Sequence, residues 1–305
     1  MHRALVAALV AGLLWAAVTA QAADPLRVCM AGNNPPLSYD DHGAMRGLDV
    51  RVAQAIADEL QRPLAVVPFE SKYEGDSTLS SEVDALLSSG VCELATGYAM
   101  MTTELGAPTR PTARVPDHPG APPPPKRPWI TLGTLAPAGV YHTMAMALVV
   151  RDPARTGTTL ADIARDARIG AVGGTMSGTA VALYRGGKLR PQIVSLRQDQ
   201  DGLAELEAGR IDATLTPLDR YDAWRLTHPS TPLKHGDYLH PLRINIGLVA
   251  RVESDALIAA ARRVTERARA SGDLARWTTE AGATWVAPAE PEVSGPVGLP
   301  DLLRE

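Results

Sequence analysis

The strongest constraint on this chain is a repeated alternation of short apolar runs with stretches that are apolar at helical spacing. Arg27–Met30 reads as a strand, Gly47–Leu60 ("GLDVRVAQAIADEL") as a helix with Leu48, Val52, Ile56 and Leu60 on one face, and Leu64–Phe69 as a strand. Ser80–Leu87 follows as a helix, capped by Ser80 or Ser81 and stopped at Gly90, and a third strand is predicted from Val91 through "VCELATG". A βαβαβ order implies a parallel sheet with helices on its faces. The pattern returns further on. Strands are expected at Ala145–Arg151, Ile169–Val172, Gln192–Leu196, Ile211–Leu215 and Ile244–Arg251. Helices are expected at Leu160–Ala167, at Asp199–Ala208, and from Ser254 onward with Leu257, Ile258, Ala261 and Val264 on one side. Two α/β units follow, a division that suits the length.

Between the units lies "GAPTRPTARVPDHPGAPPPPKRP", residues 106–128, with nine prolines in 23 residues. Proline supplies no ladder donor, so this segment is expected to be an extended polyproline-type loop, either a surface insertion or a docking strip for another protein. The tail 289–305 is rich in proline and glycine and is expected to fray.

The chain opens with Met1-His2-Arg3, an apolar run from Ala4 to Val18, and Ala20-Gln21-Ala22. A positive head, a short hydrophobic stretch and a small-x-small site read as a secretory signal over residues 1–22, too short for a membrane span. Its removal takes away Arg3 and no acid, so 30 basic residues become 29 against 34 acidic ones and the net charge moves from −4 to −5. That balance argues against nucleic acid or an anionic membrane as partner, and no later stretch is apolar enough to insert. The two cysteines, Cys29 and Cys92, both lie in the exported part. An even count in an oxidising compartment favours a disulfide; the alternative is a pair of metal or redox thiols, although no C-x-x-C spacing is present. No metal or cofactor is expected.

Several segments resemble, in order, the family 3 periplasmic solute-binding proteins. "GLDVRVAQAIADEL" is similar to the family signature at Gly47, Leu48, Asp49 and Val50, with Arg51 departing from its second acid. "TLADIARDARIGAVGGTMSGT", "LEAGRIDATL" and "ALIAAARRVTERARASGDLARWTTEAGATW" resemble later segments, so the likeness runs from Leu26 to about Trp285. The resemblance implies a two-lobed periplasmic binding fold of type II with two hinge crossings. One lobe would comprise residues 26–141 plus 245–288 and the other 143–243, with a small-molecule ligand in the cleft. A narrower likeness joins Cys29, Asn33, Asn34, Pro36 and Cys92 to binding-protein relatives associated with quinoprotein (PQQ) alcohol dehydrogenases. It implies an accessory role beside a periplasmic dehydrogenase. The alternatives are delivery of a solute to an ABC permease and, further off, a dehydratase on the same fold using Glu104 or Asp219 as acid or base.

In open α/β sheets ligands bind beyond the carboxyl ends of the strands. That rule selects Asn34 and Tyr39, then Thr96, Tyr98 and Thr102, then Thr175, Ser177 and Thr179 at a helix start, and finally Asp219. Amino-acid binders of the family clamp the ligand carboxylate with the arginine of a Thr-x-x-Arg segment, where this chain has Leu105. Arg110 and Arg114 are the nearby substitutes. Those binders hold the ligand ammonium with an aspartate, where this chain has Pro217. His235 and His240 flank "GDYL" and are expected as solvated loop histidines.

Overall fold

The computed structural model describes residues 23–71, 78–123, 126–155, 157 and 159–304. The secretory-signal reading of residues 1–22 lies outside the described residues.

One eight-stranded sheet organises the chain. Its first contributors are β1 (Leu26–Ala31), β5 (Leu64–Phe69) and β6 (Leu94–Ala99), with the small hairpin β2 (Asn33–Asn34), β3 (Ser38–Asp41) and β4 (Ala44–Arg46) inserted after β1. Helices α1 (Leu48–Glu59) and α2 (Leu79–Ser88) make the crossovers. The proline-rich segment holds β7 (Thr112–Arg114) and β8 (Trp129–Thr131), and β9 (Leu135–Val150) leads out of this half. The second half is α3 (Leu160–Ile163), β10 (Ile169–Val172), α4 (Met176–Leu183), β11 (Ile193–Leu196), α5 (Gly202–Glu207), β12 (Ala213–Pro217) and α6 (Leu218–Thr227). Strand β13 (Lys234–Arg251) returns, followed by α7 (Asp255–Ser271), α8 (Asp273–Glu280) and a short terminal α9 (Leu299–Leu302).

The strand order is β11-β10-β12-β9-β13-β6-β1-β5. Strands β5, β1 and β6 are mutually parallel, as are β12, β10 and β11, and the antiparallel pair β9–β13 joins the two sets. Each set is buried on both faces. One pair of apolar clusters, around Ile56 and Leu94 and around Leu86 and Val140, encloses β5-β1-β6. A second pair, around Ile163 and Leu215 and around Leu206 and Tyr221, encloses β12-β10-β11. Two separate cores threaded by the same two strands make a two-lobed α/β molecule.

Strand direction then fixes where the carboxyl ends lie. Strand β6 is antiparallel to β13 and ends where Ala99 meets Ile246, which faces His142 of β9. Strand β12 is antiparallel to β9 and ends where Pro217 meets Met146. The carboxyl ends of both parallel sets therefore point at each other, over the middle of the β9–β13 pair. At this crossing Gly247 lies against Gly139, which has φ 127°; a Cβ on Gly247 would collide with the Gly139 carbonyl and the Met100 methyl. Gly47 is required in the same sense: it caps α1 with φ 114°, with the Leu37 and Pro36 carbonyls filling the space a side chain would need.

The expected disulfide joins Cys29 to Cys92, with Cα atoms 5.7 Å apart. Cys92, however, precedes β6, which begins at Leu94 rather than Val91. The cap of α2 is Thr78, whose hydroxyl accepts from Ser81 N–H, not Ser80 or Ser81. Helix α3 stops at Ile163 rather than Ala167. The proline-rich segment is not a plain extended loop: β7 and β8 pair, Glu70 bridges to Asp117, Ala113 and Val115 are buried, and buried Arg127 pairs with Asp117 and donates to the Pro122 and Val115 carbonyls. The expected frayed tail is pinned as well. Asn245 Nδ2 donates to the Ala289 and Glu292 carbonyls, Ser294 N–H donates to the Met100 carbonyl, and α9 packs on α4 and β13. His235 and His240 lie on β13, not in a loop. His240 is 2% exposed; its Nδ1 accepts from Leu242 N–H, and burial holds its pKa below the usual value. No helix among the described residues is long and apolar enough to cross a membrane.

Candidate functional site

Two cavities flank the hinge, one on each set of carboxyl ends. The first, about 450 Å³, is lined by Ala31 at the end of β1, Phe69 and Glu70 at the end of β5, Thr96 and Tyr98 of β6, and Asn33 and Asn34 of the following hairpin. The second, about 380 Å³, is lined by Val172 at the end of β10, Thr175 and Ser177 at the start of α4, Gln198 and Gln200 past β11, Thr216 near the end of β12 and Arg220 beyond it. The walls mix amides and hydroxyls with apolar side chains: Leu79 and Val83 join the first, and Met146, Met176, Leu203 and Leu215 the second. Glu70 is the charged group on the first wall and Arg220 on the second, among the described residues. Arg220 Nη2 donates to Asp201 Oδ2 at 2.9 Å.

Five of the nine sequence-selected residues reach these cavities: Asn34, Thr96 and Tyr98 on the first, Thr175 and Ser177 on the second. All four of the hydroxyls among them are already engaged, those of Thr175 and Ser177 with each other at 3.2 Å. Thr96 Oγ1 donates to Asp49 Oδ2 at 2.9 Å, and Tyr98 OH donates to the Glu104 carbonyl at 2.5 Å. Burial holds the Tyr98 phenol well above its ordinary pKa, so it presents a neutral ring edge. Thr175 caps α4, its hydroxyl accepting from Gly178 N–H at 3.0 Å.

The other four lie elsewhere. Tyr39 pairs with Asn33 in the hairpin and lines a separate cavity of about 410 Å³ with Met45, Arg51 and Leu226. Thr102 is exposed and its N–H donates to the Ser294 carbonyl. Thr179 is half-buried one turn into α4, away from both linings. The Asp219 carboxylate is taken by His142 Nε2 at 3.0 Å. The substitute arginines do not supply the missing clamp either. Arg110 borders a small crevice with Asp84, Glu104 and Pro108, and Arg114 stacks over Trp129 at 4.8 Å.

Sequence reasoning missed the polar hinge beneath the cavities. Tyr141, His142 and Thr143 are consecutive on β9, and each reaches a different partner. Tyr141 OH donates to Asp49 Oδ1 at 2.7 Å and accepts from Gly97 N–H at 2.7 Å. His142 meets Asp219, and Thr143 Oγ1 donates to Asn245 Oδ1 at 3.0 Å. Asp49 is fully buried; burial raises its pKa, and the Tyr141 and Thr96 hydroxyls oppose that rise. Burial, then the Asp49 charge, lifts the Tyr141 phenol well above its usual value. The one available signal was Asp49, an acid one residue into an apolar helix face.

No protein-family model matches the sequence, and no curated protein matches it. Solved structures do match in fold. The L-cystine solute receptor of Neisseria gonorrhoeae in its unliganded open conformation is 17% identical, with a TM-score of 0.60 over 87% of this chain and 95% of that one. An ancestral cationic amino acid solute binding protein is 16% identical, with a TM-score of 0.56 over 84% and 94%. A variant of an ancestral cyclohexadienyl dehydratase is 17% identical, with a TM-score of 0.55 over 85% and 92%. The chain has the two-lobed α/β fold that these solute-binding proteins and this enzyme share.

Proposed function

We propose that this protein is a periplasmic solute-binding protein that takes a small polar ligand between its lobes and presents it to an ABC permease. The carrying observation is the pair of cavities, each mixing amides and hydroxyls with apolar side chains, on carboxyl ends that face each other over a two-strand hinge. Ligands settle at such ends, and two-strand hinges permit rigid-body closure. In this reading residues 1–22 export the chain, 26–141 with 245–288 form one lobe, and 143–243 form the other. Asn34, Thr96 and Tyr98 meet the ligand from the first lobe, Thr175 and Ser177 from the second. Leu105 and Pro217 stand where amino-acid binders of the family carry charged anchors, so the ligand is held by neutral hydrogen bonds together with Glu70 and Arg220.

The accessory reading, beside a quinoprotein alcohol dehydrogenase, rests on Cys29, Asn33, Asn34, Pro36 and Cys92. The Cys29–Cys92 bond is accounted for by fastening β1 to the segment before β6, which needs no dehydrogenase, so solute delivery is preferred. An enzymatic reading is disfavoured because the carboxylate on the cavity wall, Glu70, is exposed, while Glu104 and Asp219 lie off both linings.

Titration calorimetry of the mature protein against amino acids, sugars and polyols tests the proposal. Saturable binding of one class, weakened at least tenfold in both Asn34→Leu and Ser177→Ala, supports it. Absence of binding across the panel, co-purification of a dehydrogenase subunit, or turnover of a prephenate-like substrate would overturn it.

A further inference from the structure

The chain beyond α8 weaves between the lobes. Thr284, four residues past the end of α8, donates its N–H and its hydroxyl to Asp222 of α6 at 2.6 and 2.9 Å, and Val286 joins the apolar cluster around Leu206 and Tyr221. Both contacts belong to the lobe of β10–β12. The chain then returns to the hinge. The Ala287 carbonyl accepts from Thr143, and Ala289 N–H donates to Asn245 Oδ1 at 2.9 Å. Next it touches the first lobe. The Glu292 carboxylate accepts from Arg269 of α7 at 2.9 Å, Val293 packs on the cluster around Leu86, and Ser294 exchanges backbone bonds with Met100 and Thr102 at the end of β6. Finally it crosses back. Val297 and Leu302 pack on the cluster around Ile163 and Leu215, and His240 Nε2 lies 3.3 Å from the Leu302 carbonyl.

We propose that residues 283–302 form a strap that sets how far the two lobes swing apart, adding crossings beyond the two hinge strands. The link between its last two anchors is short. Ser294 and Val297 are three residues apart, and extended chain spans at most ~3.6 Å per residue, so the anchors separate by no more than about 11 Å unless one tears away. A pair of hinge strands alone imposes no such ceiling. The strap also explains two assignments that local sequence did not: Thr102 is occupied by Ser294, and the tail is ordered despite its proline and glycine content. It concerns lobe spacing without ligand, so it stands or falls separately from the solute-binding reading.

The test lengthens the link without removing a contact. Six Gly/Ser residues are inserted between Gly295 and Pro296, adding up to ~20 Å of reach. A second variant ends the chain at Ala289. Exposed Gln54 on α1 and exposed Lys188 beyond α4 are changed to cysteine (Q54C, K188C) and spin-labelled; both native cysteines are bonded to each other, so the new thiols are the reactive ones. Distances between the labels are measured by pulsed electron resonance with no added ligand. The strap predicts a shift of roughly 5 Å or more toward longer distances in the insertion variant, with a broader distribution, and at least as large a shift in the truncation. Unchanged distributions in both variants would overturn it. A shift in the truncation alone would show that the tail acts by packing rather than by tethering, and would overturn it equally.

Discussion

Tyr141→Phe is the sharpest probe of the hinge. The substitution removes one oxygen and with it two short bonds, the donation to buried Asp49 and the acceptance from Gly97 N–H, each at 2.7 Å. A hydrogen bond to a charged group contributes roughly 1.5–3 kcal/mol, and a backbone N–H left without a partner costs about 1–3 kcal/mol. Phenylalanine keeps the ring packing, so the net loss should be about 3 kcal/mol. At ~2–4 °C per kcal/mol for a chain of this size, the melting temperature should fall by roughly 6–12 °C. Calorimetry or thermal circular dichroism reads this directly.

The pH dependence makes the test specific to Asp49. Its folded pKa is raised above the ordinary 3.8 by burial, while Tyr141 pulls it back down. A carboxyl with a raised folded pKa adds stability below its unfolded pKa and loses that contribution as pH rises through the folded pKa. Removing Tyr141 raises the folded value further, so the penalty of Tyr141→Phe should be larger at pH 7 than at pH 4. In an Asp49→Asn background the same substitution should cost only ~1–2 kcal/mol, because the donation lost is then neutral while Gly97 N–H still loses its partner. A double-mutant cycle should show coupling of about 1–2 kcal/mol. Equal penalties at both pH values, or strict additivity, would refute the account of Asp49 as a buried acid steadied by the hinge tyrosine.

The other expectations concern stability. Cys29 and Cys92 are separated by 63 positions, and the chain-entropy relation gives about 4 kcal/mol for a loop of that size. The Cys29→Ser/Cys92→Ser protein should therefore melt roughly 8–16 °C lower, and an unchanged melting temperature would contradict a structural role. Arg168 hydrogen-bonds Asp212 and holds its carboxyl down to about 2 against an ordinary 3.8. Such a depressed carboxyl adds stability above pH 3.8 that is lost as pH falls through about 2. Because both partners are partly solvated, the contribution should be only ~1 kcal/mol. Asp212→Asn should accordingly flatten that stretch of the acid-unfolding curve, and an unaltered curve would count against the pair.

What could be read from the sequence was whatever depends on neighbours a few residues away. The helix over Leu48–Glu59 followed from Leu48, Val52 and Ile56 at helical spacing, and the buried parallel strands followed from short apolar runs. The strand-end rule selected Asn34, Thr96, Tyr98, Thr175 and Ser177, which line the two cavities because each lies in or follows a parallel strand. The early halves of β9 and β13 were missed because Pro137, Gly139, Gly236 and Pro241 look like breaks. The structure absorbs them as register shifts, since β13 has neighbours on both sides to hold it in the sheet. Tyr39 was misplaced because the hairpin doubles the chain back, pairing it with Asn33 and carrying its ring to another cavity. Asp219 and Thr102 were misjudged for a different reason: their partners, His142 and Ser294, lie 77 and 192 positions away, and no local pattern announces which acid or amide a distant strand will occupy. The same holds for Asp49, whose bonds come from 47 and 92 positions away. A polar residue beside a cleft is free for ligand only if the fold does not claim it first. In this protein the fold's claims converge on the hinge, where two lobes and the tail bring polar groups into a buried space and most of them find partners, His142 Nδ1 being left without one among the described residues.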